Sequence, residues 1–215
     1  ASAYPASALV ASVQRANVPH VFINRAVPGS GRSIVPDDDS AAAIVLEHLA
    51  SLGHRRVAHL AGPAGLDSSI RRTEAVKRHA EGLGLGEPVV SWEPFTESGG
   101  ARGMAGLLRQ DPGLTAVFTS SLGHTVGALF HLHTNGYRVP GDVSLVSYDD
   151  MELIAHLVPP VTAILMPFEE LGAEAIDELA RQLAGEKPRD RVVRGEARLV
   201  VRESTGPPSA TPRSP

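Results

Sequence analysis

Short apolar runs alternate with helix-length amphipathic stretches along nearly the whole chain, and this alternation restricts the fold more than any other feature. The runs are HVFIN (20–24), RVAHLAG (56–62), VVSWE (89–93), AVFTS (116–120), SLVSY (144–148), VTAILM (161–166) and RLVVRES (198–204). Several are apolar on consecutive residues, the pattern of strands covered on both faces. Helices are predicted near 7–16, 39–52, 69–83, 97–109, 123–134 and 168–184. Strand–helix alternation of this kind implies an α/β protein with mostly parallel sheets. At 215 residues and 42% apolar, the chain can bury such a sheet.

The helix at 168–184 has Leu171, Ala175, Leu179 and Leu183 at four-residue spacing, which predicts a buried stripe. Glu169 and Glu170 lie in its first turn, where the helix dipole favours anions, and Gly185 stops it. The helix at 123–134 puts Val126, Leu129 and Phe130 on one face and ends at Asn135-Gly136. The first unit is a helix followed by a strand, so the series starts partway through a β-α-β repeat. That start predicts further elements upstream. The closing GPPSATPRSP (206–215) is too rich in Pro and Ser to pack and is expected to be a disordered tail.

Several function classes are disfavoured at once. A net charge of −4 gives no basic footprint for nucleic acid. Without cysteine there is no disulfide or thiolate metal site. No run of about eighteen apolar residues could span a membrane, and ASAYPASALVASV lacks the basic start of an export signal. There is no G-x-S-x-G elbow and no H-E-x-x-H. Ser120, Ser121 and His124 are neighbours without a mark of a nucleophile–base pair, and His131 and His133 fall on different helix faces. Asp37-Asp38-Asp39 precede Ser40 and a helix, where acids serve as cap and dipole partners. GLGLGE (82–87) follows a helix, and PGSGRS (28–33) lacks the lysine of a phosphate loop. No catalytic residue, metal or cofactor is expected.

The stretch YRVPGDVSLVSYDD (137–150) runs a turn into a buried strand that ends on two carboxylates. Either the pair caps a turn or it lies at the mouth of a site. Open parallel sheets bind ligands beyond the carboxyl ends of their strands. Three ends are chemically rich: GPAGLDSSIRR after 56–62, EPFTESGG after 89–93, and Asp149-Asp150. Arginine, hydroxyls, an aromatic ring and carboxylates suit a small polyol. The plainer alternative is that Ser68 or Ser69 caps the following helix.

Four stretches carry a family likeness: VPHVFINR (18–25), LASLGHRRVAHLAGP (49–63), GYRVPGDVSLVSYDD (136–150) with PPVTAILMPFEELGAEA (159–175), and RLVVREST (198–205). In order and spacing the chain resembles the effector-binding core of the lactose-repressor (LacI/GalR-like) transcription regulators. The resemblance implies two Rossmann-like subdomains of the periplasmic-binding-protein-like type, joined by three crossovers around a ligand cleft. The N-terminal subdomain is expected to be incomplete: residues 1–53 plus 151–185, against 54–150 plus 186–205 for the C-terminal one. Family members carry a helix-turn-helix, a hinge helix and two more β-α units ahead of this point, so operator DNA is expected to be read only through a part absent here.

The resemblance also implies an effector set: Arg72 with Ser68 one turn earlier, Phe95 as the stacking ring, an acid at Asp37 or Asp38, and Asp149 and Asp150 at a crossover. Leu122 stands where the family usually has an aspartate that grips sugar hydroxyls. Losing a charged acceptor forfeits about 1.5–3 kcal/mol, so the effector is expected to be less polar than a free sugar, or absent. Ala75-Val76 replaces a usual Gly-aromatic pair, and Ser147 a usual Gly. A cytoplasmic homodimer follows from the family, with no membrane partner. A periplasmic-type solute-binding protein is the alternative on the same fold, and an enzyme on an α/β scaffold the remaining one.

Overall fold

The structure is a computed structural model describing residues 8–16 and 18–209. It opens with α1 (Ala8–Ala16), β1 (Phe22–Ile23), β2 (Ser33–Pro36), α2 (Asp38–Ser51), β3 (Val57–Ala61) and α3 (Asp67–Gly82). It continues with β4 (Val89–Trp92), α4 (Glu97–Gln110), β5 (Ala116–Thr119), α5 (Leu122–Thr134) and β6 (Ser144–Ser147). A 3-10 turn (Glu152–His156) leads to β7 (Thr162–Leu165), α6 (Phe168–Leu183), β8 (Arg191–Val193) and β9 (Arg198–Val200).

The larger sheet has the order β4-β3-β5-β6-β7-β9, parallel except for β9. Its strands alternate between two cores, because successive side chains point to opposite faces. Val57, Ala116, Phe118, Val146 and Ile164 join the face covered by α2 and α3. Ala58, Leu60, Val117, Leu145 and Ala163 join the face covered by α4 and α5. Both faces are buried, which is why these strands read as continuous apolar runs. Caps define three helix starts: Asp37 accepts from Ser40 N, Thr96 from Gly99 N, and Ser121 from His124 N. Helices α4 and α5 pack backbone to backbone, since a Cβ on Gly127 would lie 1.9 Å from Glu97 O.

The smaller sheet is β1-β2-β8, all parallel, with Ile34, Val193, Leu171 and Ala175 forming its core beneath α6. Three crossovers join the lobes, displaced from their expected positions. The first falls at residue 37, because Ala41, Ala42, Val45, Leu46 and Leu49 of α2 pack into the larger lobe. The second falls near 167, because β7 pairs with β6 and not with the small sheet. The third falls between β8 and β9, near 195. Strands β2 and β8 were not foreseen.

Two further expectations change. On α6, Leu171 and Ala175 are buried, but the inward face continues through Glu178 and Gln182, while Leu183 is 72% exposed. Four-residue steps overshoot the 3.6-residue turn, so the stripe drifts by about 120° over twelve residues. The segment from 206 to 209 is placed: Gly206 N donates to Ser144 Oγ (3.1 Å), and Gly206 O accepts from His54 Nε2 (3.0 Å). Residues 210–215 lie outside the described residues.

Candidate functional site

The order of the larger sheet reverses between β3 and β5, since β4 lies on one side of β3 and β5 to β7 on the other. At such a switch point the flanking loops diverge and leave a crevice at the carboxyl ends of the strands. Arg72, on α3, is buried across this point. Its Nη1 donates to Ser120 O (2.9 Å), just beyond β5, and its Nε donates to Asp38 Oδ1 (2.8 Å). The guanidinium lies 3.4 Å over the Tyr148 ring. Tyr148 OH donates to the same Asp38 oxygen at 2.6 Å, and Arg71 Nη1 donates to the other. Burial pushes the Tyr148 phenol up, which keeps it a donor.

Asp149 follows Tyr148 at the end of β6. Burial raises its carboxyl to about 6, against the pull of Arg72 and with a smaller push from the Asp38 charge. No hydrogen bond from the described residues reaches that carboxylate. A desolvated acceptor at a strand end, next to an arginine that is already committed, is suited to a ligand that donates hydroxyl hydrogens.

The two carboxylates that end β6 therefore separate. Asp149 faces Arg72 and Asp38, whereas Asp150 lies 2.7 Å from Arg202, beyond β9, and ties two strand ends together. Leu122, the first residue of α5, is partly buried against the apolar cluster on the α4–α5 face of the sheet. Ser68 is buried in the first turn of α3, which begins at Asp67 after Leu66 without a side-chain cap, so neither Ser68 nor Ser69 caps the helix. Phe95 is half-buried over Gly62, the residue after β3, where a Cβ would come within 2.1 Å of the ring. Arg72, Asp38 and Asp149 are brought together, with Phe95 above the end of the adjacent strand.

The smaller lobe contributes residues that sequence reasoning missed. Ala26 N donates to Asp67 Oδ2 at 2.8 Å, linking the loop after β1 to α3, and Arg71 Nε donates to the same oxygen at 2.9 Å. Asn24 ends β1 in the left-handed region (φ 57°), and its Oδ1 is buried without a partner among the described residues. Arg25 Nη1 is likewise buried and unpartnered there. The only advance signal was the identity of Asn24, a residue type that tolerates this backbone region. Beside this crevice, a cavity of about 200 Å³ opens at the first crossover, lined by Pro36, Asp37, Asp38, Arg71 and Val192 among others.

A serine–histidine pair does exist, but it is sealed. His59 Nδ1 donates to Phe118 O (3.0 Å), and Ser120 Oγ then donates to Nε2 (3.2 Å). Burial drives His59 down to about 3, so it is a neutral acceptor and a poor base at neutral pH. Ser121 is occupied in capping α5.

A family model described as a periplasmic binding protein-like domain matches residues 46–205. The transcriptional regulator CelR of Thermobifida fusca is 34% identical over 197 residues, covering 89% of this chain and 58% of the relative. This chain thus spans little more than half the length of that regulator. A crystal structure of a LacI family transcriptional regulator from Mycobacterium smegmatis superposes with a TM-score of 0.87 at 33% identity, covering 94% of this chain and 75% of that one. A CelR–cellobiose complex superposes with a TM-score of 0.75 at 32% identity, covering 80% and 53% respectively.

Proposed function

Because this chain belongs to the LacI/GalR family of transcriptional regulators, we propose that it is the ligand-sensing core of such a regulator. It takes a small neutral polyol between its two lobes. The observation that supports this most is the cluster at the switch point: Asp149 without a hydrogen-bond donor among the described residues, beside an Arg72 that is held by Asp38, Ser120 and Tyr148. Asp149 accepts ligand hydroxyls, Phe95 covers an apolar ring face, and Asn24 reaches the ligand from the smaller lobe. The sugar in the CelR complex makes cellobiose the first ligand to try.

Ligand contacts to both lobes favour the closed cleft, and only differential affinity for the two states can shift that equilibrium. In the intact regulator, closure changes the geometry of a homodimer and hence operator binding by a separate DNA-reading segment. The similarity to transcriptional regulators favours this reading over a transport protein with the same fold.

The test is a thermal-shift screen of neutral mono- and disaccharides. Ligand at a hundred times its Kd adds about 2.7 kcal/mol of stability. Asp149→Asn and Phe95→Ala abolish that shift without unfolding the protein. Arg72→Ala is a poor probe, because Arg72 also joins Asp38, Ser120 O and the Tyr148 ring, so its loss perturbs the fold as well as the site. A shift that survives both substitutions places the ligand elsewhere.

A further inference from the structure

The Phe95 ring is held by a residue outside the effector set, His124, in the first turn of α5 and fully buried. Its Nε2 donates to Pro94 O at 2.7 Å, and the same carbonyl accepts from Thr96 N at 2.7 Å. A carbonyl two residues before its backbone partner closes a three-residue turn, with Phe95 at the apex. The imidazole also lies against the ring it positions, with centroids 5.3 Å apart and planes tilted by 37°. Because Pro94 O can only accept, the proton is on Nε2, and Nδ1 is a buried acceptor without a partner among the described residues.

Three glycines complete the clamp. A Cβ at Gly62 would meet Phe95 Cζ at 2.1 Å and Ser69 Oγ at 2.5 Å. One at Gly99 would lie 2.3 Å from Pro94 O, and one at Gly123 would press on Thr96 at 3.3 Å. The loop is thus fixed from the ends of β3, α4 and α5 at once. We propose that His124 is a positioning residue: its hydrogen bond to Pro94 O sets the turn that presents Phe95 to the cleft, and Gly62 sets how deeply the ring sits. This inference rests on the ligand-sensing reading for its consequence, but its geometry stands without any ligand. A preset ring spares the ligand the cost of ordering the loop, so His124 controls affinity without touching the ligand.

Two substitutions separate the parts of the histidine. His124→Gln keeps an amide donor at about the reach of Nε2, and His124→Phe keeps the ring contact but removes the donor. In the ligand-free protein, hydrogen exchange across residues 93–99 reads the turn, and fluorescence quenching of Trp92, the single tryptophan, reads the base of the loop. Exchange rises about tenfold in His124→Phe, the order one hydrogen bond sustains, and stays near wild type in His124→Gln. Gly62→Ala displaces the ring and raises Trp92 quenching. Equal exchange in His124→Phe and wild type overturns the proposal, as does equal loss in the Gln and Phe variants. Should His124→Phe fail to fold, the wild-type imidazole decides. A slowly exchanging Nε2–H with a cross-peak to Phe95 supports the proposal, and an Nδ1–H tautomer overturns it. Cellobiose titration is read separately: failure of wild type to bind counts against the sugar reading and leaves the loop result standing.

Discussion

Asp149 and Asp150 are chemically identical neighbours with different fates, decided by what each meets. Asp150 has Arg202 as a direct partner, while Asp149 is desolvated and titrates upward to about 6. A carboxyl raised from 3.8 in the unfolded chain favours folding fully only below 3.8, and that contribution is lost as pH rises through 6. The loss is on the order of 3 kcal/mol by the size of the shift. Chemical denaturation of the ligand-free protein between pH 4 and 7 should show this decline, and Asp149→Asn should flatten it. A hydroxyl donor needs the carboxylate, so affinity follows the opposite course, strongest above pH 6 and falling below it. Arg72→Ala should cost about 1.5–3 kcal/mol or more in the same measurement, the usual range for a lost charged hydrogen bond, because Arg71 and Tyr148 still hold Asp38.

Among the elements, α6 shows how far periodicity can be trusted. Leu171 is 3% exposed and Leu183 72% exposed, although both lie on the same four-residue series. Leu171→Ala should therefore cost about 2–5 kcal/mol, and Leu183→Ala within about 0.5 kcal/mol, both read from urea midpoints. Strands β3, β5, β6 and β7 were legible because sheet burial on both faces leaves uninterrupted apolar runs. Strands β2, SIVP, and β8, RVV, are short, and β8 is flanked by Arg and Asp, so neither stands out from a loop. Missing β8 and assigning β7 to the wrong sheet displaced the second and third crossovers. Of the site, Arg72, Ser68, Phe95 and Asp38 came from family likeness. Asn24 was not foreseen, and neither were Asp67 and Tyr148, whose roles arise from contacts between segments far apart in sequence. Asp67 meets Ala26, and Tyr148 meets Asp38 across 110 residues.

At the scale of the whole molecule, the lobes are linked beside the crevice by the Asp67–Ala26 hydrogen bond, which Arg71 braces from α3. Asp67→Ala should open the cleft, seen in small-angle scattering as a larger radius of gyration without ligand, and should weaken ligand binding in step. An unchanged radius with unchanged affinity would assign Asp67 to local helix support alone.

Everything proposed for function depends on a small guest being clasped where the strand order of the large sheet turns back on itself. Calorimetric titration with cellobiose and related neutral sugars, run side by side on wild type, Asp149→Asn and Phe95→Ala, tests that most directly. The prediction is saturable one-to-one binding of at least one sugar to wild type, with affinity reduced about tenfold or more in each variant. Binding that is indifferent to both substitutions, or no binding by any sugar to a folded wild-type chain, would contradict it.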